Sequence, residues 1–558
     1  MQYLAFARRV GDTVRLAQVL QVFAKHGFAD VMQKLGLHRS LPARVLRTLR
    51  LGEAPKGRPE TTGARLREAF TELGPSFVKL GQVLSTRPDI LSKEFRDELA
   101  HLQDHVGPLP FDTMREVVER SLGKPLAELF REFPETPMAS ASLSQVYKAK
   151  LPSGQIVAVK VRRPNIRQVV DSDISLMTTL AEWIEAHVED LKWLDATELI
   201  REFSRTIHRE MDFTIEARTI QRFHDNFKED PTVEIPRIFA ELSSPEVLTM
   251  SYIDGVRVDA LSEYAERRSE PRDVAQIGCH AVFKQIFEHN LFHADPHPGN
   301  ILLTRDNRLG FIDFGMVGRL EASDIRIMSD LLRAVFLEDS QRVTDAMLLL
   351  ADATDLENVS ALQREVADYL GFEAQSIISG GEVGKALEKM ADMLSRHGLR
   401  LPSRFSLLIK ALSTIESTGH ALDPALNVLP ILRPYVERVI RRRFEPGEVM
   451  DEAQDYMFRM LRMLRELPVD AHVLMQMARH GKFNIKFTHQ GLERLTAAVD
   501  RASDRVAYSV MAGSIVIGSS WLLASGVPGT RTLGLAGYVV AGALGLVLLV
   551  SILRSRKL

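Results

Sequence analysis

Two short motifs in the middle of the chain carry side chains that could handle a nucleotide triphosphate. His293, Asp295 and Asn300 lie close together, and Asp313 opens a D-F-G triplet shortly afterwards. A triphosphate is polyanionic, so chemistry at its γ-phosphate needs divalent cations, and Asp and Asn oxygens are ligands that Mg²⁺ prefers. In the kinase pattern H-R-D-x-x-x-x-N plus D-F-G, the first Asp handles the attacking group, while the Asn and the second Asp hold Mg²⁺. Asp295 and Asn300 keep that spacing, which predicts phosphoryl transfer.

Two apolar runs connect these motifs. Residues 301–303 and 309–312 are separated by the polar stretch T-R-D-N, which is typical of a turn. The pattern predicts a β-hairpin that places Asn300 and Asp313 side by side.

A competing interpretation of the first motif is a metal cluster of another kind. His293, Asp295 and His297 could be zinc ligands or members of a surface turn, because His-x-Asp-x-His resembles metal ligation. A D-F-G triplet alone would be weak evidence for a nucleotide site. Its combination with the spaced Asp and Asn, and with an upstream lysine, favours the nucleotide site.

The upstream lysine is Lys160, in the run I-V-A-V-K-V at residues 156–161. This run follows another apolar stretch and the turn L-P-S-G, so the two stretches predict a β-hairpin. Strand alternation places Ala158 and Lys160 on one face, where the small Ala158 leaves room for a base and Lys160 reaches phosphate. An ordinary edge-strand lysine explains this run equally well when it is considered alone.

A lysine on the inner side of a strand needs a carboxylate to orient it. Residues 202–223 predict one long helix, and Glu216 within it is the candidate partner of Lys160. Helical periodicity does not separate this role from that of a solvated surface charge.

Three further segments match the signatures of one protein family. The run K-L-G-Q at residues 79–82 is similar to a K-x-G-Q signature, and Glu210-x-Asp212 with Glu216 resembles an E-x-D helix. The run A-S-A-S-L-S-Q-V at residues 139–146 is similar to an alanine-rich loop that replaces the glycine-rich loop of kinases. The chain thus resembles the UbiB family of atypical kinase-like proteins, which is tied to ubiquinone biosynthesis and lipid metabolism.

The resemblance implies an α+β fold of the bilobal, atypical protein-kinase-like type, with a helical extension before it and a two-helix transmembrane hairpin after it. It implies that Lys160 contacts ATP phosphates and pairs with Glu216, that Asn300 and Asp313 hold Mg²⁺, and that Asp295 takes the catalytic-base position. The implied nucleotide-binding residues are Ala139, Ser140, Ala141, Ser142, Leu143, Ser144, Gln145, Val146, Ala158 and Lys160.

The resemblance also implies a regulatory element. A helical extension bearing Lys79 and Gln82 would fold over the site where a protein kinase admits its peptide, with Glu210 and Asp212 in the same regulatory set. Lys79 would then be a gate. From the residues alone, an amphipathic helix with a surface lysine is favoured, because this spacing dictates no chemistry.

Two features argue against a fast protein kinase. Residues 139–144 contain no glycine, so their Cβ atoms restrict the approach of backbone amides to phosphate, and Ser144 stands where relatives often carry Gly or Ala. No A-P-E element follows Asp313. We therefore expect a small substrate rather than a protein, and the family resemblance implies a lipid-like or phenolic quinone precursor as acceptor or regulator. The alternatives are a nucleotide-sensing scaffold that organises biosynthetic enzymes, and a lipid kinase unrelated to quinones.

Composition limits the other function classes. The 558 residues carry 71 Lys and Arg against 73 Asp and Glu, and a net charge of −2 argues against nucleic acid as the main partner. The single cysteine, Cys279, excludes an intrachain disulfide framework and fits a reducing compartment. We expect Cys279 to be a small buried side chain on a helix.

The chain divides into five predicted regions. A Gly- and Pro-rich linker at residues 51–60 marks the first boundary, and the amino terminus is no secretory signal because arginines interrupt its apolar run. The regions are amino-terminal amphipathic helices (1–58), the K-x-G-Q extension (59–125), the kinase-like amino lobe (126–255), the carboxyl lobe with a helical tail (256–500) and the transmembrane hairpin (505–553).

The carboxyl terminus is strongly apolar. No charged residue lies between Arg505 and Arg531 or between Arg531 and Arg554. At about 1.5 Å per residue, each run can cross a hydrocarbon core of about 30 Å, which predicts two transmembrane helices. Two buried helices of a soluble core are the alternative.

Small residues and flanking charges add to this prediction. Small residues recur four apart, which suits close packing within the hairpin or between chains, so a homodimer is compatible with the sequence; they are Ser514, Gly518, Gly537, Ala541 and Gly545. Basic residues are more numerous at the two outer ends than in the loop, so both ends and the catalytic module should face the cytoplasm at a bacterial inner membrane.

Overall fold

In the computed structural model of this chain, helices alternate with three short β-sheets over the residues that the structure describes. The chain forms two compact units, Met1–Met450 and Asp451–Leu558. Of the predicted amino-terminal helices, only residues 13–28 belong to the described part. The structure describes residues 13–28, 61–87, 90–102, 106–188, 195–267, 269–351, 359–380, 382–443, 457–458, 460, 492–524 and 530–554.

The extension is a helical layer whose apolar side chains belong to a core that also includes residues between 143 and 211. Gly74 has φ of +98°, a conformation that glycine tolerates, and it lets the chain reverse between two helices, the second of which begins at Pro75. Phe70, Phe77 and Leu99 are buried between these helices. The helices are α1 (Thr13–Lys25), α2 (Thr62–Leu73), α3 (Pro75–Ser85), α4 (Lys93–Ala100), α5 (Phe111–Leu122) and α6 (Leu126–Leu129).

The amino lobe is built on a four-stranded antiparallel sheet of order β1-β2-β3-β5. Val157, Val159 and Val161 are fully buried on one face of β3, whereas Ala158 and Lys160 are half-buried on the other, so the predicted hairpin and alternation are confirmed. The elements are β1 (Ala139–Ser140), β2 (Ser144–Lys150), β3 (Ile156–Arg162), α7 (Ile166–His187), α8 (Ala196–Glu210), α9 (Phe213–Phe227), β4 (Val233–Glu234) and β5 (Val247–Ser251).

The helix predicted over residues 202–223 is two helices, so that prediction is wrong. The first helix ends at Glu210. Asp212 has φ of −104° and ψ of 96°, outside the helical region. The Asp212 side chain accepts a hydrogen bond from the backbone N–H of Thr214 at 3.0 Å. Asp212 is therefore the N-cap of α9, a role that short polar side chains favour over helix interiors.

The helical lobe begins with a second sheet of order β4-β9-β8-β6, and β7 pairs with β10. Ile301 pairs with Phe311 in an antiparallel β8–β9 hairpin, as the sequence predicts. The elements are β6 (Gly255–Arg257), α10 (Tyr264–Arg267), α11 (Pro271–Phe287), β7 (Leu291–His293), β8 (Ile301–Thr304), β9 (Leu309–Phe311), β10 (Val317–Arg319), α12 (Ala322–Phe336), α13 (Ser340–Leu350), α14 (Val359–Gly380), α15 (Val383–Arg396), α16 (Ser403–Leu422) and α17 (Leu429–Arg442).

Helix α11 is the centre of this lobe. Ten of its seventeen residues are buried, and Cys279 has no exposed surface, in agreement with the prediction for this side chain. Burial raises the pKa of the Cys279 thiol to about 12, which makes it an inert apolar residue. Helices α16 and α17 pack against α11.

The second unit contains two helices that pack against each other, α18 (Leu492–Ala524) and α19 (Thr530–Arg554). A Cβ added at Gly537 would lie 2.0 Å from Ser519 Oγ, so glycine permits this close approach. Ala541 is also buried, whereas Gly518 and Gly545 face open space. Two of the predicted small residues therefore pack within the hairpin.

One described segment of this unit meets the length and composition expected of a membrane span. Within the described residues, only Val506–Ala524 is both long and apolar enough to cross a bilayer, and the apolar stretch of the second helix is the shorter Thr532–Gly545. Length and composition are the basis of this result.

The glycine of the K-x-G-Q signature should be required for packing. An added Cβ at Gly81 would lie 2.3 Å from Leu102 Cδ1 and 2.8 Å from a Phe70 ring carbon. We expect Gly81→Ala to destabilise the extension by about 1–2 kcal/mol through overpacking. Hydrogen exchange of α2 to α4 measures this loss.

A matched control is Gly371→Ala, which adds a methyl group to an exposed position of α14 with nothing within 4 Å. It should be neutral or stabilising by up to about 1 kcal/mol. Equal effects of the two substitutions would contradict the packing argument for Gly81.

Candidate active site

Three distant segments meet at the ammonium group of Lys160. Its Nζ donates to Glu216 Oε1 at 2.9 Å and Oε2 at 3.0 Å, and to Asp313 Oδ1 at 3.2 Å. Strand β3 supplies the lysine, the first turns of α9 supply Glu216, and the segment after β9 supplies Asp313. The Glu216 side chain is 5% exposed and that of Lys160 is 13% exposed, so Glu216 is no solvated surface charge.

Lys160 and its two carboxylate partners shift one another's pKa values towards the charged forms. Burial alone would lower the pKa of Lys160, but the carboxylates of Asp313 and Glu216 outweigh burial and raise it. Burial raises the pKa of Glu216, and Lys160 opposes part of that rise. Lys160 holds the pKa of Asp313 well below its usual range. Asp313 is therefore ionised, as a metal ligand must be.

Asp313 has a constrained backbone. Its φ is +59°, a left-handed conformation that Asp adopts more readily than most residues. Its Oδ1 accepts from the backbone N–H of Gly315 at 3.3 Å, and its carbonyl oxygen accepts from His293 Nε2 at 2.8 Å. The carboxylate remains 55% exposed and can accept a further partner.

His293 connects the two motifs, and its geometry does not support the zinc interpretation. The side chain is fully buried, and its Nδ1 accepts from the backbone N–H of Asp295 at 3.1 Å while Nε2 donates to the carbonyl of Asp313. Both ring nitrogens are engaged, and burial lowers the pKa of His293, which favours the neutral ring. Among the described residues, no group of three His, Cys, Asp or Glu side chains is arranged to hold a metal.

Asp295 and Asn300 lie at the open side of this network. Asn300 Nδ2 donates to the carbonyl of Asp295 at 3.1 Å, so the amide oxygen Oδ1 is not used in this bond. The backbone of Asn300 accepts from Ile312 N–H at 2.9 Å, so Asn300 lies beside the strand that leads to Asp313. An amide oxygen and an ionised carboxylate form a donor set that fits Mg²⁺.

The alanine-rich loop is fixed by its neighbours. Ala141 N–H donates to the Ser144 carbonyl at 2.8 Å, which closes a tight turn between β1 and β2. Leu143 is buried in the core shared by the extension, α7 and α8, and Gln145 Oε1 accepts from Leu109 N–H at 3.1 Å. These two side chains serve packing, so the loop can present only backbone groups and small side chains to a nucleotide. Ser142 and Ser144 are buried, and Val146 and Ala158 are half-buried.

Arg163 is a structural residue that the sequence analysis missed. Its Nε donates to the Ala141 carbonyl at 2.8 Å, and its Nη2 donates to Ser140 Oγ and the Gly107 carbonyl, each at 2.8 Å. The side chain therefore ties the loop to the segment before α5. Lying directly after β3, it belongs to no motif that would have identified it.

The four residues of the predicted regulatory set have different surroundings. Lys79 Nζ lies 2.5 Å from Glu210 Oε1, and Glu210 lies beside Gly315 of the D-F-G triplet. Gln82 Nε2 instead donates to the carbonyl of Leu102 at 3.2 Å, within the extension. Asp212 caps α9. The structure thus brings Lys79 and Glu210 to the site, while Gln82 and Asp212 hold local structure.

Removal of Lys160 should leave a buried carboxylate without its partner. We expect Lys160→Met to lose about 3 kcal/mol of unfolding free energy near pH 8. Because burial raises the pKa of Glu216, the variant's stability should fall as pH rises from the ordinary glutamate pKa through the raised one, and recover towards about pH 5. Thermal and denaturant unfolding at both pH values measures this.

The double variant Lys160→Met/Glu216→Leu is the control, because it removes the stranded charge together with its partner. It should be more stable than Lys160→Met near pH 8. Equal losses in the single and double variants at both pH values would contradict a buried ion pair.

Comparison with known proteins shows which family this chain resembles. Residues 101–347 match the ABC1 atypical kinase-like domain, residues 366–427 the UbiB helical domain and residues 490–554 the ABC1/UbiB kinase-like C-terminal domain. The chain is 33% identical to a probable protein kinase UbiB of Cellvibrio japonicus over 451 residues, which cover 79% of this chain and 80% of the relative.

Two further relatives extend this comparison. A probable protein kinase UbiB of Marinobacter nauticus is 34% identical, with 75% of this chain and 78% of the relative covered. An uncharacterised protein of Synechocystis is 34% identical, and the match covers 67% of this chain and 66% of that protein's length. With its kinase-like core, helical domain and carboxyl-terminal domain all matched, this chain belongs to the ABC1/UbiB family of atypical kinase-like proteins.

Proposed function

We propose that this protein is a membrane-anchored atypical kinase or ATPase that binds Mg-ATP and supports ubiquinone biosynthesis. It acts on, or is regulated by, a small lipid-like or phenolic quinone precursor. The proposal rests on the cluster of Lys160, Glu216 and Asp313. The amide of Asn300, whose oxygen could be a metal ligand, lies beside the strand that leads to Asp313. A degenerate nucleotide-binding protein would be expected to have lost at least one of these groups.

Each residue has a role in this proposal. Glu216 orients Lys160, whose ammonium turns from Asp313 to the phosphates when nucleotide binds. Asn300 and Asp313 would hold Mg²⁺, which when bound neutralises charge on the phosphates. Asp295 positions the attacking hydroxyl or water. The contact between Lys160 and Asp313 in the nucleotide-free chain keeps both groups ionised until then.

The extension supports a small acceptor over a peptide. Lys79 reaches Glu210 beside the D-F-G triplet, and Leu143 of the nucleotide loop is buried in the core that the extension shares. This side of the site is therefore covered by protein where a peptide substrate would need an open surface. A compact amphiphile needs less open surface.

Named relatives support the assignment to ubiquinone biosynthesis, and the carboxyl-terminal unit supports a membrane location. Two bacterial relatives carry the name UbiB, and the family resemblance connects that name to ubiquinone. The apolar helix Val506–Ala524 suits an anchor in the bacterial inner membrane, with the catalytic module in the cytoplasm.

Phosphate release tests the catalytic part of the proposal. In full-length protein reconstituted into bilayers with Mg-ATP, Asp313→Asn and Lys160→Ala should lower steady-state release by about 100-fold or more, because both groups act on phosphate charge. Lys93→Ala is the control, since this exposed lysine of α4 pairs with Asp97 on the same helix.

Two results would change the interpretation. If wild type and variants release phosphate equally slowly and all complement a deletion strain, the scaffold alternative is correct. Quinone content of the deletion strain tests the pathway, because unchanged ubiquinone would remove this pathway assignment while leaving the enzyme intact.

Membrane anchoring has a separate test. Ile517 is 72% exposed and Trp521 is 83% exposed on one face of α18. We expect Ile517→Arg/Trp521→Arg to reduce the carbonate-resistant membrane fraction strongly, because each arginine near the centre of a span costs about 3 kcal/mol. Ile517→Leu should have no effect, and unchanged fractionation of the arginine variant would contradict an anchoring role for this helix.

A further inference from the structure

The carboxylate of Asp295 has a cationic partner from a remote part of the chain. Lys410 Nζ lies 3.2 Å from Asp295 Oδ1, and the two side chains are 27% and 33% exposed. Lys410 belongs to α16, within the match to the UbiB helical domain at residues 366–427. It is therefore outside the kinase-like match at residues 101–347.

Helix α16 is held firmly enough to place this lysine. It packs along buried α11 and against β10, the strand that pairs with β7 directly before Asp295. On the same helix, Glu416 is 5% exposed and accepts from the backbone N–H groups of Val383 and Gly384, each at 2.8 Å. Arg404 at its beginning forms an ion pair with buried Asp324 at 3.0 Å.

The other lysines of the site have different partners. Lys160 lies between Glu216 and Asp313, and Lys79 pairs with Glu210. Lys410 is the cation that the described residues place on Asp295. Without Lys410, the Asp295 carboxylate would lack a cationic partner at a site where a polyanion must bind.

We propose that Lys410 is a positioning residue for Asp295, so that the helical domain completes the active site of the kinase-like domain. Its ammonium fixes the orientation of the Asp295 carboxylate and offsets its charge. This inference rests on the proposed function.

The step that benefits is the in-line transfer. As the acceptor oxygen forms its bond to the γ-phosphorus, its proton passes to a carboxylate oxygen of Asp295. The bond between the γ-phosphorus and the β,γ-bridging oxygen breaks, and its electron pair leaves with ADP. Because Asp295 Oδ1 contacts Lys410 Nζ, Asp295 Oδ2 is the oxygen left to accept this proton.

A double-mutant cycle on the full-length protein in bilayers tests this inference. Lys410→Ala should lower kcat by about 10-fold or more while KM for ATP changes less than about threefold, because the residue acts on the acceptor side. Lys410→Arg should recover most of the loss. In an Asp295→Asn background, Lys410→Ala should add less than about a twofold effect, because residues that act as one unit are not additive.

Lys385→Ala is the control, since this exposed lysine of the same helical domain pairs with neighbouring Glu382. Fluorescent-nucleotide binding and the melting temperature accompany each variant. A wild-type rate for Lys410→Ala, or a full additional loss in the Asp295→Asn background, would overturn the inference. Should Lys410→Ala fold poorly, Lys410→Arg and Lys410→Gln carry the same comparison, with arginine active and glutamine impaired.

The outcomes separate this inference from the function on which it rests. If Asp295→Asn is inactive but Lys410→Ala is not impaired, only the role of Lys410 is wrong. If Asp295→Asn and Asp313→Asn both keep wild-type turnover, the proposed function itself is wrong.

Discussion

The position of one buried ammonium group organises this protein. Lys160 carries its charge into an environment where an uncompensated ion would cost several kcal/mol, so it must be met by carboxylates. Those carboxylates come from α9 and from the segment after β9, and the ion pairs fix these elements against β3. The proposed function depends on the same arrangement, because a lysine oriented by Glu216 and an ionised Asp313 would exchange partners when a phosphate and a cation bind.

Backbone hydrogen bonds give the loops around this group a single geometry. The neutral His293 ring donates to Asp313 and accepts from Asp295, and Asn300 donates back to Asp295. A charged His293 could not accept from the Asp295 N–H. Burial lowers the pKa of the ring and so preserves this hydrogen bond. His293 Nε2 and Asn300 Nδ2 donate to backbone carbonyls, so the Asn300 amide oxygen and the Asp295 carboxylate take no part in these bonds. These contacts fix the geometry of the candidate site.

The helical additions to the kinase-like core determine what the site can receive. The extension packs on α7 and α8, buries Leu143 of the nucleotide loop and brings Lys79 to Glu210. The helical domain contributes Lys410 to Asp295 from the other direction. Charge at the site is therefore balanced by groups from three parts of the chain. In the proposed function, this balance of charge would offset the weaker approach to phosphate of a loop that contains alanine and serine instead of glycine.

The sequence by itself determined what depends on short-range periodicity and spacing. Alternation in β3 placed Lys160 on the open face, and the turn between β8 and β9 placed Asn300 beside Asp313, because each property is fixed within one hairpin. Family resemblance supplied Glu216 as a partner, which helical periodicity could not. The helix break at Asp212 rests on a local cap with Thr214, which the helical pattern over residues 202–223 did not reveal. Tertiary structure decided the bond from His293 to Asp313, the anchoring of the loop by Arg163 and the approach of Lys410. The physical reason is that these contacts join segments far apart in the chain, so no local pattern of residue types encodes them.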